Sequence, residues 1–200
     1  NTLMLDGDLV FQSDITPLFQ EIERGGFLLT KFSTWNADGA KMRTRVAQAK
    51  EFLTEKQWEA ASSKTPAVNI GVMGWNKNCP TMDAWEEMTK KLAGRHIADE
   101  IAAQVTYPWN PHVLVDQTWN YSCVYGVGPV EEAKVLHMHG DKEAGWHRHT
   151  SRLWLREMRE LAFSGKVKNM FTYLTWGSES TINTLKQHPE LLNPSVPFNP

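Results

Sequence analysis

Short apolar runs alternate along this chain with longer segments in which apolar residues recur at helical spacing. The runs predict strands, because several consecutive apolar residues suit a strand covered on both faces. The predicted strands are residues 2–5, 27–29, 67–75, 113–115 and 135–137, with a further short apolar run at 9–11. Strands that alternate with helices indicate an α/β layer architecture.

Capping residues and glycines mark the predicted helix ends. Ser13 and Asp14 predict an N-cap, with Pro17 in the first turn, and the Gly25–Gly26 pair predicts the end of that helix. The other predicted helices are 41–58, 80–92, 99–105 and 153–163, and residues 34–40 are expected to form a loop. Residues 187–200 contain prolines without an apolar period, so we expect an irregular tail.

Composition and charge are those of an ordinary globular domain. The chain has 200 residues, of which 41% are hydrophobic and 22% charged, and its formal net charge is -2. This balance gives no electrostatic basis for binding nucleic acid, and no apolar stretch is long enough to span a membrane. Cys79 and Cys123 form neither a Cys-x-x-Cys pair nor a disulfide framework, so the redox compartment stays open.

The first candidate site directly follows the first strand. Asp6 and Asp8 are separated by Gly7, and two carboxylates at this spacing can both reach one divalent cation. Oxygen ligands suit Mn²⁺ or Mg²⁺, which need a partner such as a diphosphate to complete their coordination. An acidic turn without any ligand is the commoner explanation of this pattern when it is taken alone.

The second candidate site begins at the last predicted strand, which ends at His137. A neutral imidazole binds metal ions, and Gly140 permits the backbone to approach a phosphate closely. Lys142 supplies a positive charge for a diphosphate. A single histidine on a strand is usually a core residue, but the glycine and lysine at these offsets favour a binding site.

Two further segments carry groups suited to hydroxyl recognition. Asn69 and Gly71 lie on a strand of small residues, and an amide there can contact a sugar. Asp99, Glu100 and Gln104 lie about one helical turn apart and share a face. Each pattern also has a structural explanation, because strand backbone can satisfy an asparagine and the helix dipole favours acidic residues at a helix start.

The order of these four patterns resembles retaining GT-A glycosyltransferases such as glycogenin and the bacterial lipopolysaccharide galactosyltransferases. The resemblance covers residues 2–146 and implies an α/β GT-A fold with a mostly parallel sheet flanked by helices. It implies Mn²⁺ (or Mg²⁺) on Asp6, Asp8 and His137, and a diphosphate on Gly140 and Lys142. It also implies a donor-sugar pocket with substrate-binding and catalytic residues at Asn69, Gly71, Asp99, Glu100 and Gln104.

Several features depart from the family pattern. The usual Asp-Gln-Asp segment is replaced by Asp99-Glu100, and an Asp116-Gln117 pair is a second candidate for the same role. We favour the first pair because it opens a predicted helix. The usual Lys-Pro-Trp ending is also changed. In the family, part of the nucleotide-binding unit precedes the acid pair, so residues 1–186 are expected to be the C-terminal part of a catalytic domain lacking its first strands and helices.

The resemblance implies metal-dependent transfer of a sugar from a nucleotide diphosphate, such as a UDP-sugar, to a hydroxyl of a glycan, lipid or protein acceptor. Two other functions stay open. His137-x-His139-x-Asp141 matches the start of the metallo-β-lactamase metal signature and would suit a metallohydrolase. A non-catalytic GT-A-like module that binds a sugar or a partner protein is the other.

Overall fold

The structure is a computed structural model that describes residues 1–123 and 125–138. The chain divides into two compact units, residues 1–137 and residues 138–200. The helix predicted at 153–163, the tail predicted from residue 187 and the domain boundary predicted at residue 186 lie outside the described residues. Within the described part, no helix is both long and apolar enough to cross a membrane.

The strands of the described residues form two sheets. They are β1 (Thr2–Leu5), β2 (Leu9–Phe11), β3 (Phe27–Asn36), β4 (Pro66–Trp75), β5 (Val113–Val115), β6 (Tyr121–Ser122) and β7 (Val135–His137). The larger sheet has the order β1-β4-β3-β5, and the smaller sheet has the order β2-β7-β6.

The helices lie between these strands in the sequence. They are α1 (Thr16–Gly25), α2 (Ala40–Ala47), α3 (Glu55–Ser62), α4 (Pro80–Lys91) and α5 (Ala98–Thr106). Short 3-10 turns cover Lys50–Phe52, Tyr107–Trp109, Gln117–Asn120 and Val130–Glu132. The predicted end of α1 is confirmed, since Gly26 has a φ of 78° and donates its N–H to the carbonyl of Ile22. The predicted N-cap at Ser13 and Asp14 is wrong, because the cap position is Ile15 and Asp14 instead accepts the Thr16 N–H.

Both sheets are mixed. Strand β4 runs antiparallel to β1 and β3, whereas β3 and β5 are parallel. Strand β7 runs antiparallel to β2 and parallel to β6. The predicted α/β architecture with flanking helices is therefore confirmed, but the prediction of a mostly parallel sheet is wrong. The connection through α2 and α3 is long enough to return the chain in either direction, so the alternation of strands and helices did not determine strand direction.

The larger sheet is covered on both faces where β3 and β4 pair. Phe27 and Leu29 pack in one core cluster with Tyr107, whereas Leu28, between them, packs in another with Ile22 of α1. Side chains alternate across a strand, so burial of both sets explains the continuous apolar run. Strand β1 lies at the sheet edge and is only partly buried, so the prediction of a buried first strand is wrong in that respect.

The single helix predicted over residues 41–58 is broken into two. A capping box at Thr54 starts α3: the Thr54 hydroxyl accepts the Gln57 backbone N–H, and the Gln57 side chain accepts the Thr54 N–H. Satisfying these backbone groups favours a new helix start over continuation of α2. Strand β3 also runs further than the predicted 27–29 and includes part of the predicted loop, because its later residues continue to pair irregularly with β4.

Ser33 lies in the irregular part of β3 and is strained. Its φ is 55°, and its buried hydroxyl has no hydrogen-bond partner among the described residues. We expect Ser33→Gly to stabilise the protein by ~1 kcal/mol, because relief of left-handed strain and of an unpaired hydroxyl outweighs the entropy cost of glycine. Chemical denaturation measures this change. Ser33→Ala removes only the hydroxyl and should gain less, and a loss of stability in Ser33→Gly would contradict the expectation.

Candidate metal site

Strand pairing brings the acid pair and the histidine together. The Asp6 N–H donates to the carbonyl of Gly71 at 3.0 Å, which extends the ladder between β1 and β4. Leu9 follows Asp8 directly and lies opposite His137 in the register of β2 and β7. The turn between the two aspartates therefore passes from the larger sheet to the smaller one beside the end of β7.

The side chains of these three residues converge. His137 Nε2 lies 3.4 Å from Asp6 Oδ2 and 3.3 Å from Asp8 Oδ1. One potential ligand atom from each residue lies within 4.8 Å of the other two. The His137 side chain is 3% exposed, whereas those of Asp6 and Asp8 are 44% and 27% exposed. The imidazole is thus buried behind two carboxylates that solutes can reach.

A chain of polar groups continues from the histidine into the protein. His137 Nδ1 lies 2.8 Å from Asn120 Oδ1, and Asn120 Nδ2 donates to Asn69 Oδ1 at 2.7 Å. Asn69 Nδ2 donates to Glu100 Oε2 at 2.9 Å, and Glu100 pairs with Arg45 at 2.5 Å. Such a network holds its members in one arrangement, because each unpaired buried group would be costly.

Asn69 and Gly71, predicted to bind substrate, support the histidine. Asn69 is 7% exposed, and its side chain bonds with Gly71, Asn120 and Glu100. A Cβ on Gly71 would lie 2.4 Å from His137 Cε1, so this position must be glycine for the imidazole to pack there. Their contacts therefore place both residues behind the metal-ligand candidates.

Asp99 and Glu100 lie in the first turn of α5, close enough for their charges to interact. Burial raises the pKa of Glu100, while Arg45 and the Asn69 hydrogen bond oppose this change. Asp99 is exposed, and its negative charge contributes to the raised pKa of both Glu100 and Asp6. Of the residues predicted to be catalytic, these two lie near the cluster.

Gln104, the third residue predicted to be catalytic, has a different place. It is fully buried, its Oε1 accepts the Val68 N–H at 2.9 Å, and its Nε2 donates to the Pro66 carbonyl at 3.3 Å. The amide therefore fixes the start of β4 and is not brought to the acid–histidine cluster.

Asp116 and Gln117, the second candidate for the role of Asp99 and Glu100, make hydrogen bonds to nearby backbone groups. Asp116 accepts the Thr118 N–H at 2.9 Å, and Gln117 donates to the Val127 carbonyl at 2.8 Å. The predicted phosphate-binding residues Gly140 and Lys142 lie outside the described residues, as do His139 and Asp141 of the metallohydrolase signature.

Sequence reasoning missed Asn120 and Arg45. Asn120 is 2% exposed and joins His137 to Asn69, and Arg45 of α2 reaches Glu100 of α5. An asparagine in a turn and an arginine on an amphipathic helix carry no signature that separates them from ordinary surface residues. Their place in the site arises from tertiary contacts alone.

We compared the chain with protein-family profiles, with curated proteins and with solved structures, and none of the three searches found a significant match.

The electrostatics of Asp6 predict opposite effects with and without metal. Burial is the main cause of its raised pKa, with added repulsion from Asp8 and Asp99 and an opposing contribution from His137. The folded state therefore keeps this proton to higher pH than the unfolded chain, and stability declines as pH rises from the ordinary value of 3.8 through the raised pKa. At pH 7 the ionised carboxylate destabilises the metal-free fold.

We accordingly expect metal-free Asp6→Asn at pH 7 to melt ~1–3 °C above wild type, a small shift because the group is half exposed. With Mn²⁺ at 100 times its Kd, wild type should gain ~2.7 kcal/mol, whereas the variant should gain little. Thermal melts with and without Mn²⁺ test this reversal. Asp14→Asn is the control. Hydrogen bonds from Thr16 lower the pKa of Asp14, so removal of this charge should not stabilise the metal-free fold. Equal Mn²⁺ stabilisation of Asp6→Asn and wild type would contradict the prediction.

Proposed function

We propose that this protein is a divalent-cation-dependent glycosyltransferase of the GT-A type, which moves a sugar from a nucleotide-diphosphate donor such as a UDP-sugar to an acceptor hydroxyl. The observation that carries the proposal is the convergence of Asp6, Asp8 and His137 within 4.8 Å. The resemblance of the sequence motifs to the GT-A family predicted that these residues meet. They come from opposite ends of the described chain.

The chemistry of the three candidate ligand side chains suits Mn²⁺ or Mg²⁺. Two carboxylates supply hard oxygen ligands, and one imidazole adds nitrogen, which Mn²⁺ accepts more readily than Mg²⁺. Both carboxylates are partly accessible, which leaves room for oxygens from a ligand. When bound, the cation supplies Lewis-acid stabilisation of the charge on a departing diphosphate.

The surrounding residues hold the three candidate metal ligands in place and define one side of the site. Glu100 and Asn69 lie behind the histidine. Burial disfavours the negative charge of Glu100, and the positive charge of Arg45 compensates for this. Asp99 is exposed and electrostatically close to Asp6, so we assign it the contact with a donor-sugar hydroxyl. The assignment of Gly140 and Lys142 to the diphosphate is part of the same proposal.

Metal titration followed by a donor assay tests this function. Isothermal titration of metal-free protein with Mn²⁺, Mg²⁺ and Zn²⁺ should show Mn²⁺ binding that is lost in His137→Gln. Hydrolysis or transfer from a panel of UDP-sugars should then require Mn²⁺ and stop with EDTA.

Other outcomes would support the other two functions. Zinc that is retained in stoichiometric amount through purification, without any response to Mn²⁺, would favour a metallohydrolase. Glycan binding that EDTA does not change, without turnover of any UDP-sugar, would favour a non-catalytic module.

A further inference from the structure

The direction of the hydrogen bonds behind His137 is set by one backbone group. The Gly71 N–H, which can only donate, lies 2.9 Å from Asn69 Oδ1. That atom of the Asn69 amide is therefore the oxygen, and the nitrogen faces Glu100 Oε2 at 2.9 Å, as a carboxylate requires. The orientation of Asn69 is thus determined from both ends.

The orientation of Asn120 follows from that of Asn69. Asn69 Oδ1 accepts, so the group 2.7 Å away on Asn120 is the amide nitrogen. The same nitrogen lies 2.8 Å from Thr30 Oγ1, whose own hydrogen is directed to the Asn69 carbonyl at 2.9 Å. The Asn120 side chain is 2% exposed and reversal would place oxygen against oxygen, so its Oδ1 must face His137.

We propose that Asn120 is a positioning residue that selects the tautomer of His137 with its proton on Nδ1. Asn120 Oδ1 lies 2.8 Å from His137 Nδ1 and can only accept, so Nδ1 carries the hydrogen. Nε2 then faces the two carboxylates, at 3.4 Å and 3.3 Å from Asp6 Oδ2 and Asp8 Oδ1.

The consequence for metal binding rests on the proposed function. A metal ligand whose other ring nitrogen donates to a fixed acceptor needs no change of tautomer or rotation when the cation arrives. The acceptor here is an uncharged amide tied through Asn69 to Glu100 and Arg45. Asn120 thus links the start of α5 to the metal ligand without contacting the cation or the donor.

Two substitutions of Asn120 separate its hydrogen bond to His137 from its bulk. Asn120→Leu keeps a similar volume but removes the acceptor, so His137 should shift toward the tautomer with the proton on Nε2, and Mn²⁺ affinity should fall ~10–100-fold. Asn120→Asp restores an acceptor, so it should recover the wild-type tautomer and most of the Mn²⁺ affinity even where its thermal stability is lower.

Nitrogen-15 NMR of the metal-free protein at a pH where the ring is neutral reports the tautomer directly. The chain contains seven histidines, so the His137 signals are identified by their loss in His137→Gln. Asn110→Leu is the matched control, because it removes a partly buried amide that donates to the Thr106 carbonyl at 2.8 Å. It should lose stability but keep both the tautomer and the Mn²⁺ affinity.

A wild-type spectrum with the proton on Nε2, or an Asn120→Leu spectrum identical to wild type, would overturn the role of Asn120. Failure of wild type to bind any divalent cation would instead sink the proposed function. The NMR measurement would still decide the tautomer in that case, so the two failures are distinguishable.

Discussion

Asp8→Asn is expected to lower Mn²⁺ affinity by at least ~100-fold, more than the loss typical for a residue that only orients a ligand. The substitution preserves the side-chain shape but removes the charge of a carboxylate that lies 3.3 Å from His137 Nε2. An ionised carboxylate both ligates the cation and offsets part of its charge, whereas the amide that replaces it carries no charge. The same variant should lose Mn²⁺-dependent donor hydrolysis to a similar extent. Titration calorimetry and initial rates measure the two effects.

Asp83→Asn is the matched control for the loss of one negative charge. Asp83 is exposed in the first turn of α4 and is not part of the acid–histidine cluster. Its replacement should leave both affinity and rate unchanged. Mn²⁺ binding of wild-type strength in Asp8→Asn would show that the converged side chains do not hold the cation, and the proposed function would lose its main support.

Gly71→Ala is expected to have the second large effect, because one methyl group would occupy the place of the imidazole. The added Cβ would lie 2.4 Å from His137 Cε1 and 2.6 Å from its Nδ1. The ring is buried and its Nδ1 is bonded to Asn120, so it cannot move aside without breaking that contact. We expect ~1–3 kcal/mol of destabilisation from overpacking and ~10-fold or more weaker Mn²⁺ binding.

Gly74→Ala provides the comparison within the same strand. A Cβ there would lie 2.3 Å from Ile22 Cδ1, and the atoms nearest to it belong to Ile22 and Thr2, not to His137. It should lower stability to a similar degree while Mn²⁺ affinity stays at the wild-type value. Thermal melts and Mn²⁺ titrations of both variants give the result. Equal Mn²⁺ affinity in the two variants would mean that Gly71 serves the sheet and not the histidine.

Local chemistry predicted most of the elements correctly. Helix α4 begins at Pro80 and α1 ends before Gly26, as proline and glycine indicated, because capping groups act within a turn. The break at Thr54 was also readable in principle, since threonine followed three residues later by glutamine can form a capping box. The apolar run of β3 identified its first residues, but the irregular pairing beyond Lys31 depends on β4.

The candidate site was only partly predictable. Asp6, Asp8 and His137 could be selected because carboxylates and imidazole are metal-binding groups placed at strand ends. Asn120 could not, because an amide becomes informative only when its neighbours are known. Gln104 shows the reverse case: its helical spacing from Glu100 suggested a shared role, whereas its side chain bonds to the β4 backbone.

Element types, helix ends and donor chemistry could therefore be inferred from residues close together in the chain, since propensity, periodicity and capping act over a few positions. Strand direction and sheet order could not be inferred in this way, because they depend on which distant strands pair. The resemblance to a family led us to expect Asp8 to meet His137, but no local pattern determines that meeting, because it depends on the pairing of β2 with β7. That pairing brings together segments from the two ends of the described chain. The packing free energy that selects it belongs to the whole fold and has no local signature.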